Sequence, residues 1–383
     1  MIFIRDGTRV RKLMLLLACV GEYPMQSVCL LGNDRVWKRR IRELQKVQDF
    51  CLPSDQERVR FQMLTVSGKG KAKTIRLHKS ALPILKKVNP EAFAYYMRRF
   101  GKHHFSGAPA HVSRNHRIAE MVAMCQAAGI VSFPWDAQDP HDWNVRNQDV
   151  AHPMSYLSRD LKEFHKGEMK KTEYTRIAGA IVYPRGVYAV YNTRDQSMLW
   201  CGRGEEKTKI LLSSIFLAGG RRAEVNDAIL LGTDFRAAAT TLYEAFRRRH
   251  LTERVDKIYQ SLHFIPMSPE GVKMLEMITS EGWETNLKVA IYGNATTWPM
   301  PKGLEHDAVI DGVYHYCHLD GDLCRLIRFR RSLARWPEES FVLDCFPDQM
   351  PYLKEYLGDY LAKANVEVHW YDLDALHTHL CGE

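Results

Sequence analysis

The chain has 383 residues, of which 45% are hydrophobic and 26% charged, a composition typical of globular and not of disordered proteins. Its longest apolar run, Leu13 to Val20, is far shorter than the ~20 residues that cross a bilayer, so we expect no membrane-spanning helix. The net charge is +9, but residues 1–120 hold 24 Lys and Arg against 9 Asp and Glu, a surplus of 15, while the remainder holds 30 against 36. Such asymmetry predicts a nucleic acid or another anionic surface as the partner of the basic part.

The cysteine pattern indicates a reducing compartment. Nine cysteines are present, an odd number, and none stands in a Cys-x-x-Cys spacing, which favours a cytoplasmic location. Arg9, Arg11 and Lys12 before the apolar run also resemble the start of a signal peptide. Because that run is short and Thr8 can cap a helix, we favour an amphipathic helix.

Three helices are predicted at the N-terminus, over residues 8–20, 24–31 and 33 to about 49. The side chains of Asn33 and Asp34 can accept hydrogen bonds from the first turn of the third helix. Helix, short helix, glycine-containing turn and helix is the helix-turn-helix order.

The third helix has an apolar and a basic face. Predicted to face inward are Val36, Trp37, Ile41, Leu44 and Val47. The opposite face carries Arg35, Lys38, Arg39, Arg42 and Lys46. Neighbouring cations on a helix repel each other by a few tenths of a kcal/mol per pair unless an anion lies against them. A DNA major groove supplies phosphates for Lys and guanine edges for Arg. The alternative is a solvated charged face.

A basic hairpin is predicted to follow. Residues 58–66 and 74–78 have strand patterns, and the tip between them contains two glycines and Lys69, Lys71 and Lys73. Such a hairpin beside a recognition helix predicts a winged helix over residues 1–80, with Arg76 on the return strand as a further DNA contact. An ordinary flexible loop is the alternative.

Residues 81–130 are predicted to be a helical linker region. It contains helices at 81–100 and 114–128, with Arg117 and Glu120 facing outward, and a connection at 101–113. The connection holds His103, His104 and His111, which lack the spacing of a metal site.

Strand and helix patterns alternate through residues 131–383, which predicts an α/β domain with a mixed sheet. Predicted strands cover 177–183, 187–192, 197–201, 228–231, 263–266, 341–345 and 366–371. Predicted helices cover 205–217, 235–250, 269–280 and 350–364. The strand-strand-strand-helix-strand order at its start resembles a restriction-endonuclease-like core.

A nuclease of that type holds Mg²⁺ with two carboxylates beside a lysine. The expected aspartate position is Arg185, and residues 199–201 of the next strand carry no acid. Asp195, Glu205 and Lys207 are a displaced candidate set, but Glu205 also suits the first turn of a helix. We therefore expect no catalytic activity, and keep a Mg²⁺-dependent PD-(D/E)xK nuclease as an alternative.

Two further clusters lie near residue 320. His315, Cys317 and His318 fit no recurrent zinc spacing, and a strand would place His318 on the opposite face from the other two. A half-buried strand is favoured, and no metal or other cofactor is predicted. A second basic cluster is formed by Arg325, Arg328, Arg330, Arg331 and Arg335. It suits an accessory nucleic-acid contact, a protein-docking face or a solvated face.

The whole pattern resembles a known family. The wing tip Ser67-Gly68-Lys69-Gly70, the helix Arg114-Asn115-His116-Arg117-Ile118-Ala119-Glu120 and the nuclease-like α/β domain together resemble the replication-relaxation family of bacterial mobile elements. That resemblance implies a DNA-binding accessory role in the replication or transfer of a plasmid or conjugative element. The departures at Arg185 and residues 199–201 favour a degenerate, non-catalytic core.

The leading hypothesis is thus a cytoplasmic protein that binds double-stranded DNA by sequence or structure. A rival hypothesis is a scaffold that docks a relaxase or replication protein. A homodimer is compatible with the first, because many helix-turn-helix proteins recognise paired half-sites.

Overall fold

The computed structural model describes residues 2–52, 57–137, 152–164, 177–184, 186–196, 202–218, 224–247, 254–293, 303–363 and 365–382. It has two compact units, one of residues 1–138 and 155–157 and one of residues 139–154 and 158–383. The mixed α/β fold class is confirmed. Residues 81–130, predicted to be a helical linker region, belong to the first unit. Within the described ranges no helix is long and apolar enough to cross a membrane.

The first unit combines five helices with two small sheets in its described part. The helices are α1 (Arg9–Val20), α2 (Asp34–Leu44), α3 (Leu82–Val88), α4 (Pro90–Arg99) and α5 (Pro109–Ala127), with a 3₁₀ segment at Met25–Leu31. The strands are β1 (Ile2–Phe3), β2 (Tyr23–Pro24), β3 (Val47–Cys51), β4 (Arg58–Gln62), β5 (Leu64–Ser67) and β6 (Thr74–Leu77). The sheets have the orders β1-β3-β4 and β2-β6-β5.

The helix predicted at the N-terminus is confirmed as α1. The hydroxyl of Thr8 accepts the N–H of Arg11, and Gly21 ends the helix at φ 76° while donating to Leu17 O at 2.8 Å. A Cβ at position 21 would lie 2.5 Å from the ring of Phe100. Glycine is therefore required there by both conformation and space.

Strand pairing changes two predicted elements. The third helix ends at Leu44 and not near residue 49, because residues 47–51 pair as β3 with β4 and place Phe50 on Phe61, with ring centroids 4.2 Å apart. The predicted strand 58–66 was also wrong as one element. It breaks at Met63 into β4 and β5, which belong to different sheets.

The helices after the hairpin also differ from their predicted bounds. The predicted helix 81–100 is two helices, because the backbone of Asn89 is extended and interrupts it. The side chain of Asn89 accepts a hydrogen bond from the N–H of Ala92 and so caps α4, and Pro90 follows directly. Proline disfavours helical backbone in the residue before it. The predicted connection 101–113 is partly helical, since α5 already begins at Pro109.

The second unit alternates strands and helices, as the periodicity predicted. After β7 (Met154–Leu157), which lies where the chain passes between units, come α6 (Ser158–Phe164), β8 (Ile177–Tyr183), β9 (Gly186–Arg194), α7 (Arg203–Ala218), β10 (Asp227–Gly232), α8 (Phe235–Arg247), α9 (Val255–Ile258) and β11 (Ser261–Pro266). Then follow α10 (Pro269–Thr279), α11 (Trp283–Tyr292), β12 (Ala308–Ile310), β13 (Val313–Cys317), α12 (Leu323–Arg335), β14 (Ser340–Cys345), α13 (Met350–Leu357), α14 (Asp359–Lys363), β15 (Asn365–Trp370) and α15 (Leu373–Cys381).

The same strand arrangement occurs twice in this unit. Strands β8 to β11 lie in the order β11-β10-β9-β8, and the second sheet has the order β15-β14-β13-β12. In each, an antiparallel hairpin is followed by two parallel strands. Both sheets therefore have the carboxyl ends of parallel strands, where α/β proteins commonly bind ligands.

Two positions used in the nuclease comparison, Arg185 and the predicted strand 197–201, lie outside the described residues.

Candidate functional site

The inward face of α2 is narrower than predicted. Trp37, Ile41 and Leu44 are buried and form a single stripe. Val36 lies one residue off this stripe and is 44% exposed, and Val47 lies on β3 and is 55% exposed. The prediction that both valines face inward was wrong.

Arg35, Lys38, Arg39 and Arg42 lie on the outer side of α2. The prediction that Lys46 belongs to the same helix was wrong, because α2 ends at Leu44 and Lys46 lies in the turn before β3. The exposed side chains of this predicted set, here called the basic helix face, are Arg35, Arg39, Arg42 and Lys46. Lys38 is half-buried and pairs with Asp34 at 2.6 Å. Arg39 contacts Glu43 at 3.1 Å, yet its side chain stays 83% exposed. The basic helix face therefore presents several solvated cations to a partner.

The tip of the β5–β6 hairpin carries the three predicted lysines. Lys69, Lys71 and Lys73 are all exposed. Gly68 has φ 79°, and a Cβ there would lie 2.5 Å from the carbonyl oxygen of Ala72. Glycine therefore allows the tight tip that holds the lysines away from the sheet.

Arg76 has a structural role that the sequence did not predict. Its Nε donates to the fully buried carboxylate of Glu22 at 2.8 Å, and its guanidinium lies 4.6 Å from the ring centroid of Phe105. Asn115 of α5 donates to the other oxygen of Glu22 at 2.7 Å. Arg76 is thus held in a buried ion pair, and we exclude it from the candidate DNA contacts.

Polar side chains of helix α5 form hydrogen bonds to other elements of the first unit. His116 contacts the hydroxyl of Thr74 on β6 at 2.9 Å, and Ser27 of the 3₁₀ segment donates to Glu120 at 2.5 Å. Glu120 is fully buried, so the prediction that it faces outward was wrong. These bonds connect α5 to the hairpin and to the segment before α2.

The displaced nuclease candidates do not share one chemical environment. Asp195 lies exposed in the turn after β9, and Lys207 is exposed on α7. Glu205 is buried and accepts the backbone N–H of Gly202 at 2.8 Å. By this bond an acid in the first turn of a helix satisfies the free backbone N–H of the residue that precedes the helix.

Substitution of Glu205 tests that role. We expect Glu205→Ala to lower the free energy of unfolding by about 1 kcal/mol, and Glu205→Gln to lower it less, because glutamine can accept the same hydrogen bond. Urea denaturation measures both. Stabilisation of the wild type but not of Glu205→Gln by Mg²⁺ would instead indicate a metal ligand.

The second basic cluster is largely neutralised inside its own unit. Arg325 donates to Glu305 at 2.8 Å and to Asp307 at 2.6 Å. The other contacts are Arg328 with Glu305 at 2.8 Å, Arg331 with Asp256 at 2.9 Å, and Arg330 4.7 Å from the ring centroid of Tyr356. Helix α12 is therefore a poor candidate for a second nucleic-acid surface.

The ion pairs of Arg325 and Arg328 line a polar cleft of about 320 Å³. Its walls include Asp227, Lys288 and Asp320. Burial raises the pKa of Asp227 to about 6 and also raises the pKa of Asp320. The cleft thus contains carboxyl groups that titrate closer to neutrality than surface ones do.

A group that the sequence did not predict lies on the second sheet. His315 on β13, Asp344 on β14 and His369 on β15 have ligand-capable atoms within 4.8 Å of one another. Each imidazole Nδ1 lies 3.6 Å from a different oxygen of Asp344. His315 is confirmed on a strand, as predicted, but its partners come from the two following strands of the sheet.

The separations in this group are too long for hydrogen bonds. Tyr292 donates to Asp344 Oδ2 at 2.6 Å, while Asp344 Oδ1 and His315 Nδ1 are buried with no hydrogen-bond partner in the described part of the chain. Burial raises the pKa of Asp344, against the effects of Tyr292 and both histidines. Burial also lowers the pKa of His315. Unsatisfied buried polar atoms of this kind destabilise a fold by about 1–3 kcal/mol each.

No family model, curated protein or solved structure matches this chain. The resemblance to the replication-relaxation family stays a prediction.

Proposed function

We propose that the protein binds double-stranded DNA through its first unit. The observation that carries the proposal is the exposure of cations on two elements of that unit, the basic helix face and the hairpin tip. Arginine on a helix suits base edges in the major groove, and lysine on a hairpin suits the phosphate backbone.

The order of elements supports a winged-helix interpretation. Helix α1, strand β2, the 3₁₀ segment and α2 precede the β5–β6 hairpin, and β2 pairs with β6 in the order β2-β6-β5. In this interpretation α2 is the recognition helix and the hairpin is the wing. The β3–β4 hairpin is then an insertion between them.

The charge distribution supports the same assignment. The first 120 residues carry the surplus of positive charge. In contrast, four of the five clustered arginines of α12 contact an acid or a tyrosine of their own unit. The cations available to a polyanion are therefore concentrated on the first unit.

The wider role follows from the resemblance and is proposed on that ground alone. We infer an accessory protein for replication or transfer of a mobile element, with a relaxase or replication protein as the candidate partner of the second unit. The capping role of Glu205 favours this non-catalytic interpretation over a nuclease.

Replacing the three tip lysines tests the proposal. We expect the variant with Lys69→Ala, Lys71→Ala and Lys73→Ala to bind all duplex sequences more weakly. We also expect its slope of log affinity against log salt to be flatter by roughly 0.9 for each phosphate that these lysines neutralise in the wild type. Fluorescence anisotropy of a labelled duplex, measured over a range of salt concentrations, gives both values.

A matched control removes the same charge elsewhere. Lys207, Lys257 and Lys354 are exposed lysines of the second unit, and their replacement by alanine should leave the affinity and slope nearly unchanged. Equal effects of both triple variants would show that net charge, and not the hairpin, determines binding. An unchanged affinity of the tip variant would contradict the wing assignment.

A further inference from the structure

The second sheet contains a preformed set of metal-ligating side chains. The strand register explains why they converge. In the parallel sheet Asp344 lies opposite Cys317 on one neighbouring strand and opposite His369 on the other, so these side chains share one face. His315 lies two residues before Cys317 and therefore points to the same face. Among the residues that the structure describes, this is the one group of three or more such side chains whose ligand atoms come within 4.8 Å of one another.

The spacing suits a metal ion better than direct pairing. Metal–ligand distances of ~2.0–2.1 Å place two ligand atoms of a tetrahedral site ~3.3 Å apart. The two Nδ1-to-carboxylate separations are 3.6 Å, so small side-chain rotations bring both nitrogens and one or both oxygens onto a common ion.

The surrounding groups orient the ligands. Oε1 of Glu367 lies 3.3 Å from Nε2 of His369 and can accept a hydrogen bond from the Nε2–H tautomer, which leaves the Nδ1 lone pair directed to the Asp344 side. Tyr292 holds the carboxylate by its hydrogen bond to Oδ2. Metal-bound histidines and carboxylates commonly have outer partners of this kind. The unsatisfied Nδ1 of His315 and Oδ1 of Asp344 are the two buried atoms that an ion would satisfy.

We propose that His315, Asp344 and His369 bind a divalent first-row transition-metal ion such as Zn²⁺ or Fe²⁺. Two imidazoles favour these ions over Mg²⁺ and Ca²⁺, which prefer oxygen ligands. Three protein ligands leave at least one position for water or a substrate, as in catalytic and not in structural zinc sites. The side chain of His369 is 42% exposed, which gives solvent access to that position.

Cobalt(II) is the probe that tests the site. The untagged 383-residue chain is stripped of metal by chelation and titrated with Co²⁺. The visible ligand-field absorption is followed, and Zn²⁺ is added afterwards as competitor. We expect one equivalent of Co²⁺ per chain, displaced by Zn²⁺. Asp344→Asn keeps the shape of the side chain, and His369→Ala removes a partly exposed ligand. Each should weaken Co²⁺ binding at least tenfold.

Two comparisons make the result specific. Glu367→Gln should weaken binding about tenfold through loss of orientation, while replacement of the exposed His379 of α15 by alanine should leave it unchanged. Absence of a Co²⁺ spectrum in the folded wild type would overturn the proposal. So would binding by His369→Ala and His379→Ala with equal affinity. DNA affinity is measured separately, so failure here leaves the DNA-binding proposal unaffected.

Discussion

Replacing Arg35, Arg39, Arg42 and Lys46 with glutamine is expected to lower the affinity for duplex DNA by on the order of a hundredfold or more at moderate salt. Each of these side chains is exposed, and each cation that neutralises a phosphate contributes the favourable release of a counterion, which glutamine cannot supply. Glutamine keeps high helix propensity, so α2 should remain folded. Anisotropy titration at fixed salt measures the change, and thermal denaturation checks the fold.

A variant with the same reduction of charge is the control. Lys207, Arg236, Lys257 and Lys354 are exposed on the second unit, and their replacement by glutamine should change the affinity only a few-fold. If the variant of the basic helix face bound duplex DNA as tightly as this control, α2 would not be the recognition helix.

Replacing Arg325 with methionine is expected to destabilise the second unit by about 3 kcal/mol, because it removes the guanidinium shared by two buried carboxylates and leaves Asp307 with Lys288 and Glu305 with Arg328 as their remaining cations. Asp307 is fully buried and Glu305 nearly so, and the guanidinium contacts both. Burial alone would raise the pKa of Asp307, but Arg325 and Lys288 outweigh it and lower the pKa. Urea denaturation followed by tryptophan fluorescence and far-UV circular dichroism measures the destabilisation.

A compensating variant separates charge from packing. Adding Asp307→Asn and Glu305→Gln to Arg325→Met should recover much of the stability, because neutral amides have a smaller desolvation penalty than unpaired carboxylates. A destabilisation below about 1 kcal/mol in Arg325→Met alone would contradict the role of this ion-pair network.

The pH dependence has a definite sign. The pKa of Asp307 in the folded state lies below its unfolded value of about 3.9. Its contribution to stability is therefore complete above that unfolded value and is lost as the pH falls below about 4 through the folded pKa. In Arg325→Met the lowering effect of the guanidinium is gone, so this acid-dependent destabilisation should shrink or reverse.

Local sequence signals predicted most elements of the second unit. Strands 177–183 and 341–345 and the helix after Ser268 follow from runs of β-branched residues, cap residues and Pro269, all of which act within a few residues. One error has a local cause, since Asn89 and Pro90 divide the predicted helix 81–100. Another occurred where pairing with a second strand decided the outcome. Residues 47–51 became a strand because β4 pairs with them.

The same distinction applies to the candidate sites. The basic helix face was predictable, since helical periodicity alone separates it from Trp37 and Ile41. The role of Arg76 was not, because its partner Glu22 is distant in the sequence and polar itself. His315 was considered at the sequence level, but Asp344 and His369 reach it only through the parallel pairing of three strands.

The salt dependence of duplex binding by the wild-type 383-residue chain is the most direct test of DNA binding by the first unit. We expect a steep fall in affinity with salt, with a slope of roughly −0.9 for each phosphate contacted, and a clearly flatter slope when the basic helix face is neutralised. A slope near zero, or a slope that is the same in the wild type and that variant, would contradict DNA binding by the first unit.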